Sequence, residues 1–303
     1  MNTYHGIIPP VITPLKDTET LDVDGLEKLL EHILAGGVHG IFMLGTTGEA
    51  PSLPYQLRRE VIQHANRIIN KRVPLLVGIT DTVFGESVNL AKFAADNGTD
   101  AVVLAPPYYF AAGEPELYQY TDKIASALPL PLFLYNMPSC TKLSFTVDMV
   151  RKLMDHPNIV GLKDSSANVL YLNLIQLFAA SREDFTTLVG PEELLAQSML
   201  AGANGGVNGG ANLFPRLYVD LYNATLANNI EQTELLHNHV MHISSNLYSI
   251  GNHSSAFLKS IKCALSVKGI CSGTLAEPFS EFAAPERKRV EQFLEQFSYT
   301  ADV

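Results

Sequence analysis

The chain has 303 residues, enough for one large domain or two ordinary ones, and 47% of them are apolar while 17% are charged. With a mean hydropathy of +0.10, this composition excludes a disordered, collagen-like or coiled-coil polypeptide. The formal net charge of −10 leaves no basic field to attract a phosphate backbone or an anionic lipid surface. We therefore expect no nucleic acid and no membrane among the partners.

The cysteines and the amino-terminal segment indicate the compartment. Cys140, Cys263 and Cys271 are scattered and form no CxxC pair, which argues against a disulfide framework or a thiolate zinc site. The segment MNTYHGIIPPVITPL lacks the basic start and long apolar run of a signal peptide, and no apolar stretch approaches the ~20 residues of a membrane-spanning helix. These features predict a cytoplasmic protein.

Short apolar or β-branched runs alternate with longer stretches of helical spacing along the chain. The runs, each interpreted as a strand, are GIIPPVI (6–12), GIFMLGT (40–46), PLLVGIT (74–80), AVVLAPP (101–107), PLFLYNM (131–137), IVGLKDS (159–165), FTTLVGP (185–191) and GGVNGGA (205–211). Several of the helical segments between them end in glycine, which favours a left-handed helix cap. Each run with the segment after it forms one predicted βα unit.

Eight consecutive βα units predict an α/β protein with a (β/α)₈ TIM barrel, because strands that are apolar on both faces belong in parallel sheets covered by helices. We expect the barrel to span residues 1–228 and a helical carboxy-terminal extension to span 229–303, with helical patterns at 231–249, 255–268 and 285–299. An open doubly wound sheet is the rival architecture. It usually carries a nucleotide loop, and neither GxGxxG nor GxxxxGK[ST] occurs.

The polar residues that close the strand runs are the candidate functional residues, because the active site of a (β/α)₈ barrel forms at the carboxyl ends of its strands. We expect all of them to face one mouth of the barrel. In chain order they are Thr46, Thr47, Tyr108, Tyr109, Tyr135, Asn136, Lys163, Asp164, Glu192, Glu193 and Asn208.

Lys163 is the most informative of these residues, since it directly follows the apolar run IVGL, where a barrel strand has no solvated face. One interpretation is a lysine that snorkels to water or pairs with the adjacent Asp164. The other is a Schiff-base lysine, whose amine becomes nucleophilic when desolvation favours the neutral form. Spacing alone leaves both interpretations open.

Two further strand ends supply the proton chemistry that imine formation requires. Tyr135 ends the strand before that of Lys163, which places its phenol beside the amine, and the Thr46 and Thr47 hydroxyls in GTTGE are suited to relay a proton or to bind a carboxylate. Taken singly, the tyrosine reads equally well as a core aromatic and the threonines as an ordinary turn. Their joint placement at the ends of strands two, five and six favours the catalytic interpretation.

Five motifs occur in order along the chain: GTTGE (45–49), PYY (107–109), YNMP (135–138), GLKDSS (161–166) and AGANGGVNGGAN (201–212). This ordered set resembles the pyruvate-dependent class I aldolases, the group that includes dihydrodipicolinate synthase and N-acetylneuraminate lyase. The resemblance covers essentially the whole chain. It implies a barrel with a helical extension, assembled as a homotetramer, in which pyruvate condenses with a lysine without a cofactor or a metal.

The resemblance also implies roles for single residues. Lys163 would form the imine, Tyr135 would be the acid/base, and Thr46 would link it to a second tyrosine, Tyr109, which in many relatives reaches across a subunit interface. The implied substrate-binding residues are Thr47, which with the adjacent backbone would hold the pyruvate carboxylate, and Gly190 and the Val207 carbonyl, which would line the opposite wall. Asn208, at the end of the eighth run, is a further substrate-binding candidate.

One departure from the family pattern bears on the second substrate. Members that make dihydrodipicolinate carry an arginine after YNxPS to clamp the carboxylate of the aldehyde, and here that place is Cys140. A guanidinium binds a carboxylate in a bidentate manner and a thiol does not, which weakens an assignment to lysine biosynthesis. Whether Lys142 replaces the arginine stays open.

The segment GPEELL (190–195) resembles the one in which sialate lyases and some 2-keto-3-deoxy-sugar-acid aldolases place acids against the substrate's hydroxyls. Glu192 is therefore a candidate acceptor for sugar hydroxyls, and the alternative is that it and Glu193 only open a helix. Gly209 stands where sialate lyases have a serine. The segment GGVNGGANLFP looks closer to the 2-keto-3-deoxy-gluconate aldolase pattern.

Together these features predict a carbon–carbon lyase that forms or consumes pyruvate through an imine, with a 2-keto-3-deoxy sugar acid as the partner substrate. The alternatives are 4-hydroxy-tetrahydrodipicolinate synthase, which joins pyruvate to aspartate semialdehyde, N-acetylneuraminate lyase, a keto-deoxy sugar acid dehydratase, and a non-catalytic keto-acid sensor. His237, His239 and His242 are interpreted as part of a solvated helix rather than as a metal site.

Overall fold

The structure, a computed structural model, describes residues 3–297 and 299 of the chain. Parallel strands form an eight-stranded sheet in the order β1-β8-β7-β6-β5-β4-β3-β2. They are β1 (Gly6–Ile7), β2 (Ile41–Met43), β3 (Leu75–Gly78), β4 (Ala101–Leu104), β5 (Leu132–Asn136), β6 (Ile159–Asp164), β7 (Thr186–Val189) and β8 (Gly205–Gly206). A parallel bridge between Pro10 and Phe42 joins the chain after β1 to β2, so the sheet closes as the predicted (β/α)₈ barrel.

The strands are shorter than the apolar runs that predicted them, and β1 and β8 have two residues each. Pro9 and Pro10 follow β1 and have no N–H to donate, although the Pro9 carbonyl still accepts from the Phe42 N–H at 3.0 Å. At Gly205 a Cβ atom would lie 2.0 Å from the Gly6 carbonyl oxygen, so the close approach of β8 to β1 requires a glycine.

Helices cover the outer surface of the barrel, and α1 shows how the sequence specifies them. Asp22 accepts a hydrogen bond from the Gly25 N–H at 3.1 Å and caps the helix, while Leu26, Leu30 and Ile33 bury one face at helical spacing. The helices up to the predicted boundary are α1 (Val23–Ala35), α2 (Tyr55–Ile69), α3 (Phe84–Asp96), α4 (Glu114–Ala127), α5 (Pro138–Thr141), α6 (Val147–Leu153), α7 (Val169–Ala179), α8 (Leu195–Leu200) and α9 (Pro215–Leu226).

The carboxy-terminal extension consists of α10 (Ile230–Asn246), α11 (Ala256–Val267) and α12 (Ala284–Gln296). The predicted boundary after residue 228 falls in the connection between α9 and α10, and the division into two domains stays a prediction. Buried residues of the extension share one apolar cluster with the barrel helices. Within residues 3–297 and 299, no helix has the length and apolar composition needed to cross a lipid bilayer.

Inward-pointing strand residues form a second apolar cluster inside the barrel, separate from the one between strands and helices. Phe42, Phe133 and Leu188 belong to it, and so does the Tyr135 ring. Gly161 lies beside Phe133 in the register of β5 and β6, and a Cβ atom there would be 2.3 Å from the Phe133 ring. The interior at Gly161, two residues before Lys163, is therefore densely packed.

We expect Gly78→Ala to lower the free energy of unfolding by about 1–3 kcal/mol, because the new methyl group would lie 2.1 Å from the Leu44 carbonyl oxygen. Gly85→Ala is the matched control. It adds the same methyl group in the first turn of α3 with no atom within 4 Å, and replaces a poor helix former. Urea denaturation of both variants tests this, and equal stabilities would contradict the close approach at Gly78.

Candidate active site

Lys163 and Tyr135 face each other across two neighbouring strands. They are partners in the parallel register of β6 with β5, and each side chain is only 5% exposed. The Lys163 Nζ atom lies 3.9 Å from the centroid of the Tyr135 ring and 5.2 Å from that of Phe42. The amine thus lies buried against the rings of Tyr135 and Phe42.

The adjacent carboxylate does not pair with this amine. Asp164 points away from the barrel interior, where its Oδ1 atom accepts from the Asn136 amide at 2.8 Å and its Oδ2 atom from the Ser166 hydroxyl at 3.0 Å. Burial raises the pKa of Asp164, and these hydrogen bonds partly offset that rise. Asn136 also accepts from the Phe145 N–H at 3.1 Å, so this network ties the ends of β5 and β6 together.

The GTTGE turn brings a hydroxyl to Tyr135. The Thr46 Oγ1 and Tyr135 hydroxyl oxygens are 3.2 Å apart, within hydrogen-bond distance. Thr46 is exposed in this chain and Thr47 is half-buried. At Gly45 a Cβ atom would lie 2.7 Å from the Phe42 ring, which explains why the turn starts with glycine.

At the ends of β6, β7 and β8, backbone groups and the Asn208 side-chain amide are hydrogen-bonded to one another. Asn208 is fully buried, and its side-chain amide donates to the Gly190 carbonyl at 3.1 Å. The Gly190 N–H donates to the Asp164 carbonyl at 2.7 Å. Val207 is 3% exposed and its side chain packs inside the barrel. The ends of β6, β7 and β8 are thereby fixed relative to one another.

Glu192 is placed differently from the expectation that all strand-end residues face the mouth. Its carboxylate is 3% exposed and accepts from the Tyr218 and Tyr248 hydroxyls and from the Gly210 N–H. Glu193 accepts from the Ser244 hydroxyl. Both carboxylates thus accept hydrogen bonds from protein donors. Tyr218 of α9 and Tyr248, in the segment after α10, hold the Glu192 carboxylate, which does not line the cavity described below.

The second tyrosine also departs from the expected arrangement within one chain. Tyr109 has a left-handed backbone with φ of +88°, is 88% exposed, and packs edge-on against Phe110. It does not contact Thr46. Its neighbour Tyr108 lines the cavity instead, and burial together with the charge of Asp81 raises the pKa of Tyr108. The sequence places Tyr108 among the candidate residues at the strand ends, but the family resemblance assigns the role of second tyrosine to Tyr109.

A cavity of about 230 Å³ opens beside Tyr135 and Thr46. Most of its wall is apolar, and its polar side chains are hydroxyls and one thiol. These side chains belong to Thr46, Thr80, Tyr108, Tyr135, Cys140 and Thr141. None of the described residues that line it carries a charge. Lys142 is exposed, its ammonium donates to the Ser139 carbonyl at 3.1 Å, and it is not among the residues that line the cavity.

The histidines of α10 are partly accounted for by aromatic packing. His239 meets the edge of Phe297, and His242 stacks on Phe293 and Phe297. In the part of the chain that the structure describes, no three histidine, cysteine or acidic side chains are grouped so as to hold a metal ion.

A lysine amine packed on a tyrosine, with a threonine hydroxyl within hydrogen-bond distance of that tyrosine at the mouth of a (β/α)₈ barrel, is the arrangement expected of a class I, Schiff-base-type lyase. The model of the dihydrodipicolinate synthetase family matches residues 3–297. The chain belongs to this family, and it is an enzyme of the lyase class.

Individual relatives agree with this family. A solved structure described as dihydrodipicolinate synthase from Bacteroides thetaiotaomicron is 51% identical, with 98% of this chain and 100% of that chain covered and a TM-score of 0.95. YagE of Escherichia coli K12, solved in complex with pyruvate, is 29% identical with 97% and 98% covered and a TM-score of 0.91. The 4-hydroxy-tetrahydrodipicolinate synthase of Gluconobacter oxydans is 30% identical, with 96% of each chain covered.

Glu192 generates a pH-dependent prediction, because burial raises its pKa to about 7 despite its three hydrogen bonds. The folded protein therefore holds this proton more tightly than the unfolded chain. The contribution of Glu192 to the free energy of unfolding falls as pH rises from about 5 to 7. We expect Glu192→Gln to remove that fall, so that its stability relative to wild type increases by roughly 1.4 kcal/mol per pH unit in this window.

Denaturant unfolding at pH 5, 6, 7 and 8 measures the effect. Glu231→Gln, at an exposed carboxyl in the first turn of α10, is the control. Parallel stability curves for wild type and Glu192→Gln would contradict a carboxyl that is neutral at the lower end of this range.

Proposed function

We propose that this chain is a pyruvate-dependent lyase whose Lys163 forms an imine with the keto carbon of pyruvate. The observation that carries the proposal is the position of the Lys163 Nζ atom, buried 3.9 Å from the centroid of the Tyr135 ring. The 3.2 Å contact between Tyr135 and Thr46 supports it, and so does the pyruvate bound to the similar E. coli protein.

The proposed chemistry uses side chains only and requires no cofactor. The neutral Lys163 amine adds to the keto carbon, Tyr135 protonates the hydroxyl of the resulting carbinolamine, and water leaves as the imine forms. Loss of a methyl proton from the imine gives an enamine, whose carbon then attacks an aldehyde. In the cleavage direction the same steps run in reverse and release the aldehyde. Thr46 relays protons between Tyr135 and the mouth.

The pyruvate carboxylate is proposed to bind between the GTTGE turn and the ends of β7 and β8. Thr47 and the adjacent backbone would hold it on one side, with Gly190, the Val207 carbonyl and Asn208 on the other. We also propose a homotetramer in which Tyr109 of one subunit completes the site of another. The exposure of Tyr109 and Phe110, 88% and 82%, supports an interface at this loop.

For the second substrate we propose a 2-keto-3-deoxy sugar acid. The cavity presents hydroxyl groups, which bind a polyol, and no cation, which a second carboxylate would need. A role of Glu192 toward sugar hydroxyls is not retained, since its oxygens already have three donors. The nearest alternative is 4-hydroxy-tetrahydrodipicolinate synthase, which the description of the 51% identical B. thetaiotaomicron structure favours. A cytoplasmic location remains part of the proposal.

Borohydride reduction in the presence of pyruvate tests the imine. We expect wild type to gain a stable adduct on Lys163 and Lys163→Ala to gain none, while Lys142→Ala, at an exposed lysine, keeps the adduct. Tyr135→Phe should bind pyruvate but slow turnover by ~10²–10⁴ because the proton donor is lost. Intact-protein mass and peptide mapping are the readouts. An unchanged wild-type mass would instead favour a non-catalytic keto-acid sensor.

A substrate panel tests the second half of the proposal. We expect turnover of keto-deoxy gluconate or galactonate, detected as pyruvate release, and weak turnover of aspartate semialdehyde with pyruvate, since Cys140 offers no fork for its carboxylate. Sialate and conditions that detect dehydration complete the panel. Efficient condensation with the semialdehyde and none with any sugar acid would overturn the sugar-acid assignment and leave the imine chemistry untouched.

A further inference from the structure

The GTTGE turn is bounded by two left-handed residues that are not glycine. Leu44 has a φ of +58° and Glu49 a φ of +57°. A side chain in this conformation costs energy, and the conformation persists only where the surroundings fix it. Within the turn, the Glu49 N–H donates to the Thr46 carbonyl at 3.1 Å. What fixes Glu49 therefore also fixes the backbone of Thr46.

The Glu49 carboxylate is held by the carboxy-terminal extension. Its Oε2 atom accepts from the Ala276 N–H at 2.9 Å, and its other oxygen pairs with the Lys262 ammonium of α11. Lys262 also donates to the Thr274 carbonyl at 2.7 Å. Both charged side chains are 0% exposed. These contacts connect a turn near the start of the barrel to a part of the chain more than 200 residues later.

A fully buried ion pair of this kind sets geometry more than it adds stability. The desolvation of two charges offsets much of their attraction, and each charge then depends on its partner and on its remaining hydrogen bonds. Burial lowers the pKa of Lys262, and the charge of Glu49 opposes that lowering. Displacing Glu49 would leave the Lys262 ammonium unpaired, so the turn has little freedom to move.

We propose that Glu49 and Lys262 are a positioning pair through which the extension holds the Thr46 hydroxyl against Tyr135. This inference rests on the proposed function, because it assigns the held hydroxyl to proton transfer at Tyr135. The turn has one other described anchor, the Thr13 hydroxyl, which donates to the Gly48 carbonyl at 2.7 Å. That contact holds the peptide group between Gly48 and Glu49 from the barrel side, whereas the Glu49 side chain is held from the extension.

The test needs an activity that does not depend on the second substrate. Exchange of the pyruvate methyl hydrogens for deuterium in D₂O, followed by NMR, requires the imine, the enamine and the proton relay alone. Lys262→Met by itself leaves a buried carboxylate unpaired and endangers folding. The main variant is therefore the double substitution Glu49→Gln and Lys262→Met, which removes both charges while the glutamine carbonyl still accepts from Ala276.

We expect the double variant to fold, to keep the borohydride adduct with pyruvate, and to exchange deuterium about 10-fold more slowly than wild type, because the hydroxyl is less well oriented. Thr46→Val should slow exchange as well, and the variant that combines it with the double substitution should exchange no more slowly than Thr46→Val alone. Ser260→Ala is the matched control. Ser260 lies on α11, the helix that carries Lys262, and the substitution removes its buried hydrogen bond to the Leu247 carbonyl without touching the turn. This variant should exchange at the wild-type rate.

A double variant that exchanges as fast as wild type would overturn the positioning role, and so would losses in exchange rate that multiply when Thr46→Val is added. A double variant that does not fold would also overturn it, because the pair would then be a stability element. Slowed exchange in Ser260→Ala would also overturn it, since loosening the extension at any point would then be enough to slow deuterium exchange. A wild-type protein with neither exchange nor adduct would overturn the proposed function itself, and the positioning role with it.

Discussion

The parallel pairing of β5 with β6 is the constraint on which the site depends. It sets Tyr135 directly beside Lys163 in the register, and the closed barrel then places the amine against the rings of Tyr135 and Phe42. Neither residue needs a flexible loop to find the other. The Asn136 and Asp164 side chains, one position further along each strand, bond to each other on the outer face and keep the two strand ends level. The proposed nucleophile and its proposed proton donor are thus positioned by backbone hydrogen bonds rather than by side-chain packing alone.

The rest of the site is assembled from elements that are distant in sequence. The Thr46 turn comes from the loop after β2, the proposed carboxylate site lies partly at the ends of β7 and β8, and the anchor of the turn comes from α11 and the segment after it. The extension is therefore more than a cover for the barrel. It reaches the loop after β2 through the buried Glu49–Lys262 pair, which anchors a turn whose proposed relay hydroxyl, that of Thr46, is itself exposed.

The fold and the centre of the site follow from sequence because they depend on local signals. Eight apolar runs predict eight strands, and Lys163 after IVGL stands out since a charge at that point needs a reason. Helix α7 shows the limit of such signals, for its run VLYLNLIQLFA is apolar nearly throughout and hides the helical period. Glu192 shows another limit. A carboxylate after a strand end suggests a site, and only the fold reveals that Tyr218 and Tyr248 occupy it.

The sequence could not show which of Tyr108 and Tyr109 faces the cavity. The backbone at Tyr109 is left-handed and its ring is turned away, whereas the Tyr108 ring lines the cavity. The wall that carries Tyr108 also holds Thr80, Cys140 and Thr141, all on segments beyond the strand ends. Substitutions in that wall leave the pairing of β5 with β6 intact. Under the proposed chemistry, evolution can exchange one electrophile for another there while the imine at Lys163 is inherited unchanged, and a directed-evolution library confined to these four positions would explore substrate scope.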